Sequence, residues 1–138
     1  MQPEGLGDLL IAAARRLRRY SAAALEPLGI APHHARALRI VVQDGPMRLG
    51  ELAEALRVAP RSVTDVVDAL ESSGWAVREP DPGDRRAIVV RATTAGEQLA
   101  VKADLARRDR MKTYLERLPE TDRQHLEKAL RALVDQGD

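Results

Sequence analysis

The run LGELAEALRVAPRSVTDVVDALESSGWAVREPDPGDRRA, residues 49–87, decides the fold. Its first eight residues set Leu49, Leu52, Ala53 and Leu56 at three- and four-residue steps, the spacing of one helix face. From Pro60 to Ser73 the same spacing recurs in Val63, Val66, Val67 and Leu70. Only Arg57-Val58-Ala59 separates the two, and a proline opens the second, where its missing N–H would have had no partner. Two short amphipathic helices joined by so brief a turn predict a helix-turn-helix. Past Gly74 the pattern becomes β-prone in Trp75 to Glu79 and again in Ala87 to Ala92. Between them Pro80-Asp81-Pro82-Gly83-Asp84-Arg85-Arg86 reads as the polar tip of a hairpin.

Upstream, Leu6, Leu9, Leu10, Ala13, Leu17, Tyr20 and Ala24 predict a helix from Leu6 to Leu25, ended near Pro27 and Gly29. A second helix is expected from Pro32 to about Asp44, with Ala35, Leu38, Val41 and Val42 inward and Gly45-Pro46 as its stop. Downstream, Thr93 or Thr94 can cap a long helix, and Thr94 with Glu97 has capping-box spacing. That helix is expected to reach about Arg117, before Leu118-Pro119 breaks it. A last amphipathic helix carries Leu126, Leu130 and Leu133 and leads to a polar tail, Gln136-Gly137-Asp138. The expected fold class is mainly α with a small β-hairpin.

A chain of 138 residues suits one domain, residues 1–138. Its 44% hydrophobic residues suffice for a core, but Phe is absent and aromatics make up 2%, so Leu, Val, Ile and Ala must fill it. A net charge of +1 among 31% charged residues selects no partner, because surface distribution outweighs the sum. The absence of cysteine excludes disulfides, thiolate zinc and thiol redox sensing. No apolar run approaches the roughly 20 residues that span a bilayer, so a soluble, unexported, cytoplasmic protein without membrane partners is expected. No nucleophile motif, phosphate loop or metal-ligand spacing is present, which argues against an enzyme and predicts neither metal nor cofactor.

In a helix-turn-helix with a wing, the second helix enters the major groove N-terminus first, and the hairpin follows the backbone toward a minor groove. The candidate DNA-binding residues on that helix are Pro60, Arg61, Ser62, Thr64, Asp65 and Asp68. A guanidinium at Arg61 can bind guanine bidentately. Ser62 and Thr64 can hydrogen-bond phosphate or base, and Asp65 can accept from a cytosine amino group if a nearby arginine offsets phosphate repulsion. Arg85 and Arg86 are the wing candidates, the alternative being a merely polar turn. The Arg15-Arg16-Arg18-Arg19 group is spread around a helix, and Arg107-Arg108-Asp109-Arg110 reads as an exposed section of the long helix, both fitting solvent or interface roles. His33 and His34 are adjacent and so diverge on a helix, which disfavours a shared metal. Trp75 reads as an anchor of core or hairpin.

Three segments together resemble the MarR family of winged-helix transcription regulators: residues 49–87 above, VVRATTAGE at 89–97, and LPETDRQHLEKALRAL at 118–133. The wing tip with Asp81, Asp84, Arg85 and Arg86, followed by Thr93 and Gly96, matches that family's signature. The resemblance implies a winged helix-turn-helix lobe over residues 31–92 and a helical dimerisation region over 1–30 and 93–138. It implies a homodimer on double-stranded DNA, a pseudo-palindromic operator, and release of repression by a small aromatic or phenolic effector. Arg86 would then enter a minor groove, held by Asp84, with Arg85 the neighbouring alternative; Asp84 can equally serve the turn through its side chain. An effector crevice would draw on Arg16, Tyr20, His33 and His34. The chain departs from the family where Arg48 and Ala59 replace the usual hydroxyl caps, although Arg48 can contact phosphate instead. Residues 46–91 hold seven arginines against eight acids, so binding requires the arginines to be segregated; a protein-interaction adaptor without specific DNA binding is the rival reading.

Overall fold

The computed structural model describes residues 5–136, so Gly137 and Asp138 of the expected tail lie outside the described residues. The order is α1 (Leu6–Ala22), a 3-10 segment (Ala23–Leu28), α2 (Pro32–Asp44), β1 (Met47–Arg48), α3 (Leu49–Leu56), α4 (Pro60–Ser72), β2 (Ala76–Asp81), β3 (Asp84–Ala92), α5 (Thr94–Leu115) and α6 (Glu120–Val134). The chain divides into two compact units, a winged unit from Ala24 to Ala106 and a terminal unit formed by the segments on either side.

In the winged unit the aliphatic periodicities converge. Leu38 and Val41 of α2, Leu52 of α3, Val63, Val67 and Leu70 of α4, and Val90 of β3 are the large side chains most fully buried. Each such burial contributes about 1.5–3 kcal/mol. The α3–α4 turn closes with Val58 N–H donating to the Ala53 carbonyl at 3.1 Å, while Arg57 takes the left-handed conformation at φ 57°. Arg36 of α2 donates to the Leu56 and Ala55 carbonyls at 3.3 and 3.4 Å, supplying one cation to the C-terminus of α3. Neither Arg48 nor Ala59 supplies a side-chain cap. Helix α3 is compensated by Glu51, which accepts from the Arg48 N–H at 3.0 Å, and α4 by Pro60 in its first turn.

The expected two-stranded hairpin is a three-stranded antiparallel sheet of order β1-β3-β2. Met47 pairs with Val90 and Arg48 with Val89, a ladder of two residues too short to show a period in sequence. The turn is also tighter than expected, because β2 and β3 extend until only Pro82 and Gly83 separate them. Pro80 faces Ile88 while Asp81 faces Asp84, so one step along β2 is met by four along β3. Arg85, Arg86 and Ala87 form the resulting bulge.

Helix α4 passes to β2 through Gly74 at φ 78°, with Gly74 N–H donating to Glu71 and Trp75 N–H to Leu70. The Trp75 carbonyl then accepts from Thr93 N–H at 3.0 Å. Thr93, rather than Thr94, caps α5: its hydroxyl accepts from Gly96 N–H at 3.0 Å and donates to the Gly74 carbonyl at 2.7 Å.

In the terminal unit the first helix ends at Ala22, where the chain tightens into the 3-10 segment, instead of running to Leu25. Among the described residues α1 buries only Ser21 and α6 buries none. Leu6, Leu9, Leu10 and Ile11 of α1, and Leu130, Leu133 and Val134 of α6, are exposed. Tyr20 and Tyr114 stand 5.2 Å apart between ring centroids. Arg110 lies over Tyr20 at 4.2 Å and donates to its carbonyl at 3.2 Å, so it is half-buried against a ring instead of exposed as expected. No helix of the described residues is long and apolar enough to cross a membrane.

Candidate nucleic-acid interface

Helical periodicity turns Val63, Val66, Val67 and Leu70 inward, which leaves Pro60, Arg61, Ser62, Thr64, Asp65 and Asp68 exposed along the opposite side of α4. The structure thus brings together every candidate read from that helix. The Thr64 hydroxyl donates to the Pro60 carbonyl at 3.4 Å, leaving its lone pairs outward.

Charge pairing sorts the remaining arginines. Arg48 turns toward the wing, with Nε and Nη2 each 2.9 Å from Asp81 Oδ2. Arg78 spans Asp68 and Glu71 of α4 at 2.6 and 2.7 Å. Arg91 and Glu79 are joined by two bonds of 2.9 and 3.1 Å across the β2–β3 ladder, where they are diagonal neighbours. These pairs occupy three arginines and four acids. Among the described residues the guanidinium groups of Arg61, Arg85 and Arg86 make no side-chain hydrogen bond or ion pair, and all three are exposed. Arg57 of the α3–α4 turn is likewise exposed and without an ion pair, so four of the seven arginines of residues 46–91 are left unpaired among the described residues.

Asp84 serves the turn. Its Oδ1 accepts the backbone N–H of Arg86 at 3.1 Å and does not grip the guanidinium, much as Asp81 accepts Gly83 N–H at 3.0 Å. The Glu71 carboxyl is held below its usual range by the Arg78 N–H and then its guanidinium, and Glu79 by Arg91. Asp81 is lowered by Gly83 N–H and then by Arg48. Carboxylates depressed in the folded state stabilise it above their unfolded pKa, about 4, and that contribution is lost as pH falls through the lower folded values. The thermal midpoint should accordingly be flat from neutrality to about pH 5 and decline below about pH 4. A midpoint that rises on acidification would contradict these pairs; the solvent access that all three retain makes the expected change modest.

The rings of His33 and His34, expected to diverge, approach to 4.1 Å between centroids at a tilt of 55° and line a groove with Arg36, Leu56, Ser62 and Asp65, where burial and then His33 lower the His34 pKa. Arg16 and Tyr20 line a shallow hollow of the terminal unit with Arg19, Arg110, Tyr114 and Arg117. Arg117 stacks on both tyrosines, at 5.1 and 4.3 Å. Sequence reasoning named Arg16 and Tyr20 but missed Tyr114, Arg110 and Arg117, whose signal was only that Tyr114 is the chain's other tyrosine.

A helix-turn-helix whose second helix is exposed, flanked by a three-stranded sheet with a bulged arginine wing, defines the winged-helix class. The MarR family model matches residues 30–88. The HTH-type transcriptional regulator Mb0904 of Mycobacterium bovis is 34% identical over 104 residues, 73% of each chain. The HTH-type transcriptional repressor Mb2911 of the same organism is 29% identical over 128 residues, 93% of this chain and 92% of its own. Wild-type MarR of E. coli in its apo form superposes with a TM-score of 0.81 at 25% identity, covering 96% of this chain and 98% of that one. The chain belongs to the MarR family. It spans about half the length of other curated relatives that it matches, among them regulators of Bacillus subtilis and Mycobacterium leprae.

Proposed function

We propose that this chain is a cytoplasmic transcriptional repressor that binds a pseudo-palindromic site in double-stranded DNA as a homodimer and leaves it when a small aromatic or phenolic effector binds. The observation that carries the reading is the sorting of charge in the winged unit: acids consume Arg48, Arg78 and Arg91, while Arg61 on α4 and Arg85 and Arg86 on the wing stay exposed and unpaired among the described residues. In this reading Arg61 reads a base edge, with Pro60, Ser62, Thr64 and Asp65 around it. Arg85 and Arg86 follow the backbone into the minor groove, and Asp84 shapes the turn that presents them.

The dimer reading rests on the terminal unit, whose α1 and α6 expose Leu6, Leu9, Ile11, Leu133 and Val134, an apolar area suited to burial against another helix pair. Repression is supported by the relative named a repressor. The effector reading rests on the Tyr20–Tyr114 pair with Arg16, Arg110 and Arg117 beside it, a surface where a flat ring can stack and an anion can meet guanidinium groups, and on the His33–His34 groove.

Selection of bound sequences from a random duplex pool, followed by salt titration on the winner, tests the DNA reading. A sequence with two half-sites about 34 Å apart and a steep loss of affinity with salt are expected. Neither sequence preference nor salt dependence would mark the adaptor instead, a reading favoured by the near-equality of seven arginines and eight acids in residues 46–91.

A further inference from the structure

We propose that Arg78 is a positioning residue that acts as a charge mask: by holding Asp68 and Glu71 it makes the exposed side of α4 compatible with a polyanion. The inference rests on the DNA-binding reading above.

Taken alone, α4 is a poor DNA-reading helix. It carries one arginine, Arg61, against three carboxylates, Asp65, Asp68 and Glu71. Helical spacing puts Asp65 and Asp68 one and two turns beyond Arg61, on the side opposite the buried valines. Duplex DNA presents a negative charge about every 1.7 Å of its axis, so bare carboxylates there would be repelled.

Arg78 answers this from β2. Its Nη2 donates to Asp68 Oδ1 at 2.6 Å and to the Thr64 carbonyl at 3.4 Å, and Nη1 donates to Glu71 Oε1 at 2.7 Å. Its backbone N–H takes the other Glu71 oxygen at 2.9 Å. One guanidinium thus binds two acids through separate nitrogens, the fork geometry that a lysine cannot reproduce. Because both terminal nitrogens are engaged and the side chain is only 24% exposed, Arg78 is spent on α4 and is not itself a phosphate ligand. Asp65 is left as the acid of α4 without an ion pair among the described residues, one turn beyond Arg61.

The test uses the full-length protein and its selected operator. Arg78→Met keeps the stem and removes the charge; its affinity should fall at least about tenfold, while the slope of log affinity against log salt does not drop by the roughly 0.9 that one lost phosphate contact would give. Adding Asp68→Asn and Glu71→Gln to Arg78→Met should recover most of the loss, although no ion pair is rebuilt. The Asp68→Asn/Glu71→Gln pair with Arg78 intact should bind at least about threefold more tightly than wild type, a result independent of whether Arg78→Met folds. Wild-type affinity in Arg78→Met, failure of the triple variant to recover, or unchanged or weaker binding by the Asn/Gln pair each overturns the mask. A wild-type protein that binds no duplex overturns the DNA-binding reading itself, which separates the two failures.

Discussion

Gly96→Ala is expected to destabilise the winged unit by about 3 kcal/mol or more, at or beyond the upper end of ordinary overpacking. A Cβ built on Gly96 overlaps the Trp75 carbonyl oxygen, lies 2.9 Å from the carbonyl carbon and stands 3.3 Å from Leu38 Cδ1. Leu38 can change rotamer; the Trp75 peptide cannot. Its oxygen accepts from Thr93 N–H, and the Thr93 hydroxyl bridges the Gly74 carbonyl and Gly96 N–H, so strand entry and helix start are bonded on both sides of the point of overlap. Relief requires α5 to withdraw from the sheet and break these bonds. Urea unfolding followed by fluorescence measures this directly, because Trp75 is the only tryptophan and lies at the contact. Gly50→Ala is the control: its added Cβ meets nothing within 4 Å in α3 and should raise stability by up to about 1 kcal/mol through helix propensity. A Gly96→Ala midpoint near wild type would show that the close approach is not structural.

The same contact explains what was legible. The Thr93 and Gly96 pair could be recognised in the sequence as a signature, but its cause could not, because the partner is a backbone carbonyl of Trp75, eighteen or more residues away in the chain. Local features were readable. Helix α2 and helix α3 occupy the expected spans, since Pro32, Gly45-Pro46 and the leucine spacing act within a few residues. The 3-10 turn at Ala23–Leu28 was hidden, because Ala24 and Leu25 continue the apolar period of α1 while Pro27 tightens the chain beneath it.

Charge was the least legible feature. Seven arginines against eight acids left the DNA reading open in the sequence, and the decisive pairings join Arg48 to Asp81, Arg78 to Asp68 and Glu71, and Arg91 to Glu79. Arg91 meets Glu79 through strand register and Arg48 meets Asp81 across the sheet, whereas Arg78 meets Asp68 and Glu71 where β2 packs on α4, and composition announces none of these contacts. Once they are paired, Arg61, Arg85 and Arg86, which position in the motif had selected, are left exposed without an ion pair, together with Arg57 of the α3–α4 turn.

Arg86→Ala should lower affinity for the selected operator at least about tenfold at physiological salt and reduce the salt slope by about one phosphate contact or less. The bulge gives β3 three residues that β2 does not match, and Arg85 and Arg86 occupy two of them, exposed beside the Pro82-Gly83 turn. A guanidinium there can enter a narrow minor groove, where the potential is most negative, so the loss should be largest on operators with A·T-rich flanks. Asp84 provides the discriminating variant. Because its Oδ1 accepts the Arg86 N–H and not the side chain, Asp84→Asn keeps an acceptor at the same place, preserves the turn and should bind DNA about as well as wild type or slightly better. Were Asp84 aiming the guanidinium by charge, Asp84→Asn would weaken binding nearly as much as Arg86→Ala. Arg85→Ala completes the comparison: the arginine whose removal costs more is the one in the groove. Unchanged affinity in Arg86→Ala and Arg85→Ala alike would remove the wing from the interface and leave α4 to bind alone.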